Sequence, residues 1–249
     1  MRYSVKQLLA LFFSFQICFG AIAHDADSNS GAQTTATSYN WNHTITGANP
    51  HLSVLVDIRG TSCTVSGITW NTSENLSLVT SATATNGSRH AESWALTAPS
   101  TGTRAIAVTL TGCTPTASVA CGISFTGVAQ SSSTEAGNGA TASSSSGPEQ
   151  VTITSTTDNT FMVVNGIVDA TTSSTAANSG QTQTADVTLA GGFHGSCGYT
   201  TAAVTPAGAV SMGFVLTGPS SNATWAAAGY ALKPATSSSG TSSRAWVME

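Results

Sequence analysis

The sequence predicts an all-β protein, a two-sheet antiparallel β-sandwich of jelly-roll type built as one domain. Three observations carry this expectation. Apolar residues recur at every second position in about a dozen short runs, the period of a strand with one buried face. Turn residues interrupt those runs about every 8 to 12 residues, as in a sandwich. No run has the period of an amphipathic helix, and no short repeat suggests a solenoid. A length of 249 residues suits one large β unit.

The clearest stretch runs from Glu92 to Val128, where three alternating runs are separated by two turns. Trp94 and Leu96 share a face, followed by Ile106, Val108 and Leu110, then by Val119, Cys121, Ile123 and Phe125. Pro99-Ser100-Thr101-Gly102 supplies the first turn, because proline presets φ and glycine accepts a positive φ. Thr114-Pro115-Thr116 supplies the second.

Taken in order, the chain opens with a secretory signal over residues 1–23. Arg2 and Lys6 precede an apolar run from Leu8 to Phe19, and Ala21-Ile22-Ala23 is a small-x-small cleavage site before His24. The apolar run is shorter than the roughly 20 residues that a membrane span requires, so no membrane insertion is expected after signal removal. Residues 24–38 are polar and aperiodic and read as a flexible leader. Residues 39–234 carry the sandwich. Strands are expected at 40–46, 51–59, 63–70 and 76–84, followed by an Asn86-Gly87 hairpin turn and the three-strand stretch. Residues 130–147, poor in anything larger than alanine, read as a long mobile loop. Further strands are expected at 150–154, at 161–168, around Val187 and Leu189, at 209–216 and at 224–232. The run Phe161 to Val168 is apolar on both faces and predicts a central strand covered on both sides. Residues 235–249 form a low-complexity tail.

Composition excludes several functions. Only 7% of residues are charged, against a usual share of about 25%. With Arg2 and Lys6 removed, five basic residues face eleven acidic ones, a formal charge of −6. No basic patch is available for nucleic acid.

With Cys18 lost in the signal, Cys63, Cys113, Cys121 and Cys197 remain, an even number that suits two disulfides in an oxidising compartment. Three pairings are open. Cys113 and Cys121 flank a short strand connection, which favours their union and leaves Cys63 for Cys197.

Several motifs together resemble a known kind of module: W-N-H-T-I-T-G from Trp41, V-S-G-I-T-W-N from Val65, E-S-W-A-L-T-A-P-S-T-G-T from Glu92, I-S-F-T-G-V from Ile123 and W-A-A-A-G-Y-A-L-K-P-A from Trp225. They are similar to a jelly-roll-like β-sandwich module that recurs in bacterial exported and surface proteins and in some phage structural proteins. The resemblance spans 38–235. It implies a sandwich without catalytic residues that acts in adhesion, display or carbohydrate contact.

No catalytic set emerges from the residues themselves. In Phe193-His194-Gly195-Ser196-Cys197-Gly198 a thiol neighbours an imidazole, but a disulfide cysteine at a tight turn explains it. Cleavage before His24 would expose an amine-imidazole pair for copper, with His43, His51, His90 or His194 as the second ligand. That makes a copper-dependent oxidase a remote alternative. Asp57, Asp158, Asp169 and Asp186 sit near strand ends, where calcium binds in some sandwiches, yet no D-x-D-x-D loop occurs and solvated carboxylates are the plainer reading. Trp41, Trp70, Trp94 and Trp225 fall in strands and are expected in the core, while Trp246 lies in the tail. N-x-S/T sequons begin at Asn42, Asn71, Asn75, Asn86 and Asn222 and matter only in a glycosylating host. The function expected is a non-enzymatic secreted or cell-surface module for adhesion or for binding glycans or envelope material, with no metal and no cofactor. A structural subunit of an extracellular filament or coat is the alternative, and binding to ice or mineral is a remote third.

Overall fold

A computed structural model describes residues 20–145, 148–169, 174–176, 180–216 and 223–236. They contain seventeen strands and no helix: β1 (Ala23–Asn29), β2 (Ser38–Ile45), β3 (His51–Arg59), β4 (Thr64–Trp70), β5 (Glu74–Asn75), β6 (Ser77–Asn86), β7 (Arg89–Thr97), β8 (Gly102–Thr111), β9 (Ala117–Thr126), β10 (Thr134–Ser145), β11 (Glu149–Thr154), β12 (Phe161–Asp169), β13 (Ser174–Ala176), β14 (Gln181–Leu189), β15 (Phe193–Thr200), β16 (Ala209–Leu216) and β17 (Ala223–Leu232). The all-β antiparallel expectation holds.

The architecture is a doubled sandwich. Sheets in the orders β2-β8-β4-β5 and β1-β9-β3-β7-β6 form the first half, and sheets β10-β17-β12-β15-β14 and β11-β16-β13 form the second. In each half the chain crosses between the two sheets at most connections, which is the jelly-roll arrangement. The two halves follow one plan. The partners β3·β9, β3·β7, β2·β8 and β6·β7 of the first recur as β12·β17, β12·β15, β11·β16 and β14·β15 of the second. The two five-stranded sheets then pack against each other. The result is four layers, with cores between the first and second, the second and third, and the third and fourth.

This stacking explains why β3, β9, β12 and β17 are buried along nearly their whole length. Each has a sheet on both sides, so apolar or small residues are required at odd and even positions alike. In β3, Leu52, Val54, Val56 and Ile58 enter the first core, while Leu55 faces the seam between halves. The seam is lined by small residues at Ala84, Ala91, Ala117, Ala226 and Ala228, and by the larger Phe125, Phe161 and Leu232 at one end.

Several expectations are corrected. The single two-sheet sandwich becomes two sandwiches. Val119, Cys121, Ile123 and Phe125 do not share a core with Trp94 and Val108; they lie on the opposite face of the β9 sheet and point into the seam. Cys113 follows β8 and Cys121 lies in β9, strands of different sheets, and the two are not joined. Cys63 precedes β4 and Cys113 follows β8, and antiparallel pairing of those strands (Thr64 opposite Thr111) brings the two cysteines to a Cα separation of 5.1 Å in one disulfide. The other joins Cys121 of β9 to Cys197 of β15 across the seam, at 6.5 Å. The leader at 24–38 contains most of β1, an edge strand held by its backbone against β9, so its polar side chains need no alternation. The supposed loop at 130–147 contains β10, paired with β17. Its glycines reflect close packing: a Cβ on Gly139 would lie 1.8 Å from the Thr83 carbonyl oxygen. At the start of the tail, the Ala235 amide donates to the Gly127 carbonyl at 2.8 Å. Residues 1–19 of the signal and 237–249 of the tail lie outside the described residues.

Two predictions follow from this packing. Non-reducing peptide mapping should find Cys63 linked to Cys113 and Cys121 linked to Cys197, and replacing Cys121 and Cys197 by Ala should cost about 4 kcal/mol on the chain-entropy estimate. The second concerns processing. Ile22 is buried in the seam core, so cleavage before His24 would remove a core side chain. Cys18 and Gly20 offer a second small-x-small site that spares Ile22. N-terminal sequencing of the exported form should therefore read Ala21-Ile22-Ala23-His24, and a sequence beginning at His24 would refute it.

Candidate functional site

The five-stranded sheets bring polar side chains into the seam, where hydrogen bonds are the condition of burial. The Tyr230 hydroxyl donates to Ser53 Oγ at 2.6 Å and lies 3.3 Å from His51 Nε2. Asn165 Nδ2 donates to Asp57 Oδ1 at 2.7 Å, and Ser93 Oγ donates to Asn165 Oδ1 at 3.0 Å. Burial lowers the pKa of His51 to about 3 and keeps it neutral. Burial also raises Asp57 well above the carboxylate range, against hydrogen bonds from Asn165 and from the Ser196 and Gly166 amides. Glu149, in the core of the second sandwich, is pushed up in the same direction by burial and by the charges of Asp57 and Asp186. Neither Glu149 oxygen has a hydrogen-bond partner among the described residues.

One chain of contacts has the connectivity of a nucleophile, base and acid. Glu92 Oε1 accepts from His90 Nε2 at 2.6 Å, which leaves Nδ1 to accept from the Thr85 hydroxyl at 2.5 Å. Thr85 is exposed, and His90 and Glu92 are buried. Two further donors converge on the same carboxylate, Val65 N at 3.0 Å and Trp94 Nε1 at 2.8 Å. Glu92 is thereby the hub that holds β4 to β7. Clefts at Lys233, at Leu78 and at Arg59 are all lined by residues other than Thr85. The arrangement ties β4, β6 and β7 together. Its only sequence signal was the H-x-E-x-W alternation from His90 to Trp94, which places all three on one face.

The histidines do not converge. His24 lies in β1, stacked on Tyr199 with ring centroids 4.7 Å apart. His43 Nδ1 is 2.8 Å from Ser28 Oγ, and its pKa is lowered to about 4, chiefly by burial. His194 Nδ1 meets Asp186 at 3.1 Å. Asp158 accepts from the Ala207 amide at 2.6 Å, and Asp169 pairs with Arg89. Among the described residues no group of three or more His, Cys, Asp or Glu side chains is placed to hold a metal ion. Trp70, Trp94 and Trp225 are buried and Trp41 is half-buried, as expected of core residues, while Trp246 lies outside the described residues.

What remains accessible is of two kinds. The outer face of sheet β2-β8-β4-β5 presents Ser38, Asn40, Asn42 and Thr44 beside Thr103, Ala105, Ala107, Thr109 and Thr111, then Thr64 and Ser66. No Asp, Glu, Lys or Arg lies on that face, because Arg104 and Glu74 have the opposite strand parity. The other is a cleft of about 350 Å³ where the seam opens to solvent, lined by Arg59, Ser88, Arg89, Asp169, Gly191, Gly192 and Phe193. Sequence reasoning missed it, because its residues come from four strands and two turns that are distant along the chain.

The fold and these surfaces define an all-β protein of two jelly-roll sandwiches packed face to face, tied by disulfides that suit an oxidising environment. No protein-family model, no curated protein and no solved structure matches the chain.

Burial makes stability depend on pH in two opposed ways. Asp57 and Glu149 hold their protons more tightly in the fold than in the unfolded chain, so their contribution is fully present below pH about 4 and is lost as pH rises from there towards their raised folded values. His43 and His51 stay neutral in the fold, so their contribution is present above about 6.5 and is lost as pH falls towards their folded values of about 4 and about 3. Glu149→Gln should therefore flatten the decline that begins above pH about 4, gaining roughly 1–3 kcal/mol relative to wild type at pH 8. Urea melts at pH 5 and pH 8 measure it, and equal pH slopes in the two proteins would refute it.

Proposed function

We propose that this protein is an exported, non-enzymatic surface or matrix module that binds glycan or cell-envelope polymer. The carrying observation is the uncharged hydroxyl and amide face of the outer sheet. Strands about 4.8 Å apart set its side chains in rows, and the Thr44 and Thr103 hydroxyls are 2.8 Å apart within them. Such a face offers many donors and acceptors with little side-chain entropy to lose, which suits an uncharged polymer rich in hydroxyl groups. The buried hydrogen bonding of the histidines and of Glu92 supports a binding role over a catalytic one. The signal-like N-terminus and the two disulfides support export.

The test is a pull-down and calorimetry panel of insoluble and soluble polysaccharides. At least one should bind without release of reducing ends or oxidised products. Thr109→Glu, at an exposed position on the middle strand β8, should weaken that binding at least tenfold and leave the melting temperature within a few degrees. Reproducible turnover of any polymer in the panel, or binding unaffected by Thr109→Glu, would overturn the reading.

A further inference from the structure

We propose that the cleft at the end of the seam is an oxyanion site, built to take the carboxylate or sulfate group of a ligand between Arg59 and Arg89. The site goes beyond the hydroxyl face and stands on its own geometry. Arg59 and Arg89 are directly opposite each other in the β3·β7 ladder, and both project toward the seam. Like charges at directly opposed positions destabilise a sheet unless something neutralises them. Asp169 does so for Arg89 alone: one of its oxygens pairs with the Arg89 guanidinium and the other accepts from the Thr224 amide at 2.7 Å. No described carboxylate lies within salt-bridge distance of Arg59.

Both guanidinium groups are held in place before any ligand arrives. Their Cζ atoms lie 4.1 Å (Arg59) and 5.3 Å (Arg89) from the centroid of the Phe193 ring, and Arg59 Nη1 donates to the Ala190 carbonyl at 2.8 Å. Gly191, at φ 81°, lets the turn pass Arg59 closely; a Cβ there would fall 2.1 Å from Nη1. Arg89 Nε is buried and has no acceptor among the described residues. Two of the four lysines and arginines among the described residues thus converge on one cleft of a chain with net charge −4. A planar carboxylate or a tetrahedral sulfate matches the paired donors of a guanidinium, and a cleft of about 350 Å³ admits one charged sugar or a small organic acid.

The probes are sodium sulfate, sodium acetate and sodium glucuronate, each compared with sodium chloride at equal ionic strength, read by calorimetry and by chemical shifts of arginine side-chain NH groups. Saturable binding is expected, with the Arg59 and Arg89 signals moving. Arg59→Gln should weaken it at least tenfold, Arg59→Lys less, and Arg104→Gln, whose charge lies outside the cleft, not at all. Sulfate alone binding assigns a sulfated ligand, and glucuronate or acetate alone binding assigns a carboxylate; either supports the site. Absence of saturable binding by all three probes, or equal affinity in wild type and Arg59→Gln, overturns it. The Arg59 and Arg89 signals and the Arg59→Gln variant report on the cleft and not on the outer-sheet face, so failure here and failure of polymer binding are separate results.

Discussion

Packing one five-stranded sheet face to face on another is the constraint on which the rest of the molecule depends. It removes solvent from both sides of β3, β9, β12 and β17, and so sets their composition. The sheets approach closely where alanines meet, at Ala84, Ala91, Ala117, Ala226 and Ala228, and they spread where Phe125 and Phe161 stack edge to face with centroids 6.0 Å apart. The Cys121–Cys197 disulfide crosses the same seam, so a covalent bond and a packed core act on one interface.

The seam also fixes how the two sandwiches sit on each other. Apolar contact is tolerant of sliding, whereas the Ser93–Asn165–Asp57 and Tyr230–Ser53 bonds are satisfied in one relative position only. Side chains that in another protein would do chemistry are here used for registration. Burial is the dominant influence on Asp57 and raises its pKa, against the hydrogen bonds it accepts in the seam.

The two halves show that strand order and side-chain chemistry are separable. His90 and His194 occupy matching places, each opposite a threonine of the preceding hairpin strand, Thr85 and Thr188. In the first half the imidazole reaches Glu92 on its own strand, and in the second it reaches Asp186 on the neighbouring one. Arg59 and Asp169 likewise end the equivalent strands β3 and β12 with opposite charge. This asymmetry in an otherwise repeated plan leaves one cationic cleft at the seam.

Alternation along the chain by itself determined most strands of this protein, because period-two burial is a local property that a single strand reveals. The Asn86-Gly87 turn, the doubly covered strand at Phe161 and the burial of Trp70, Trp94 and Trp225 were legible for the same reason. Strands β1, β5, β10, β13 and β15 were not. Their residues are polar, small or glycine-rich, and only backbone pairing with neighbouring strands makes them strands. Tertiary structure alone decided the doubling, the disulfide partners and the arginine cleft. Which sheet a strand joins is set by contacts between residues far apart in sequence, so β8 and β9 can be neighbours along the chain and lie in different layers, carrying Cys113 and Cys121 away from each other.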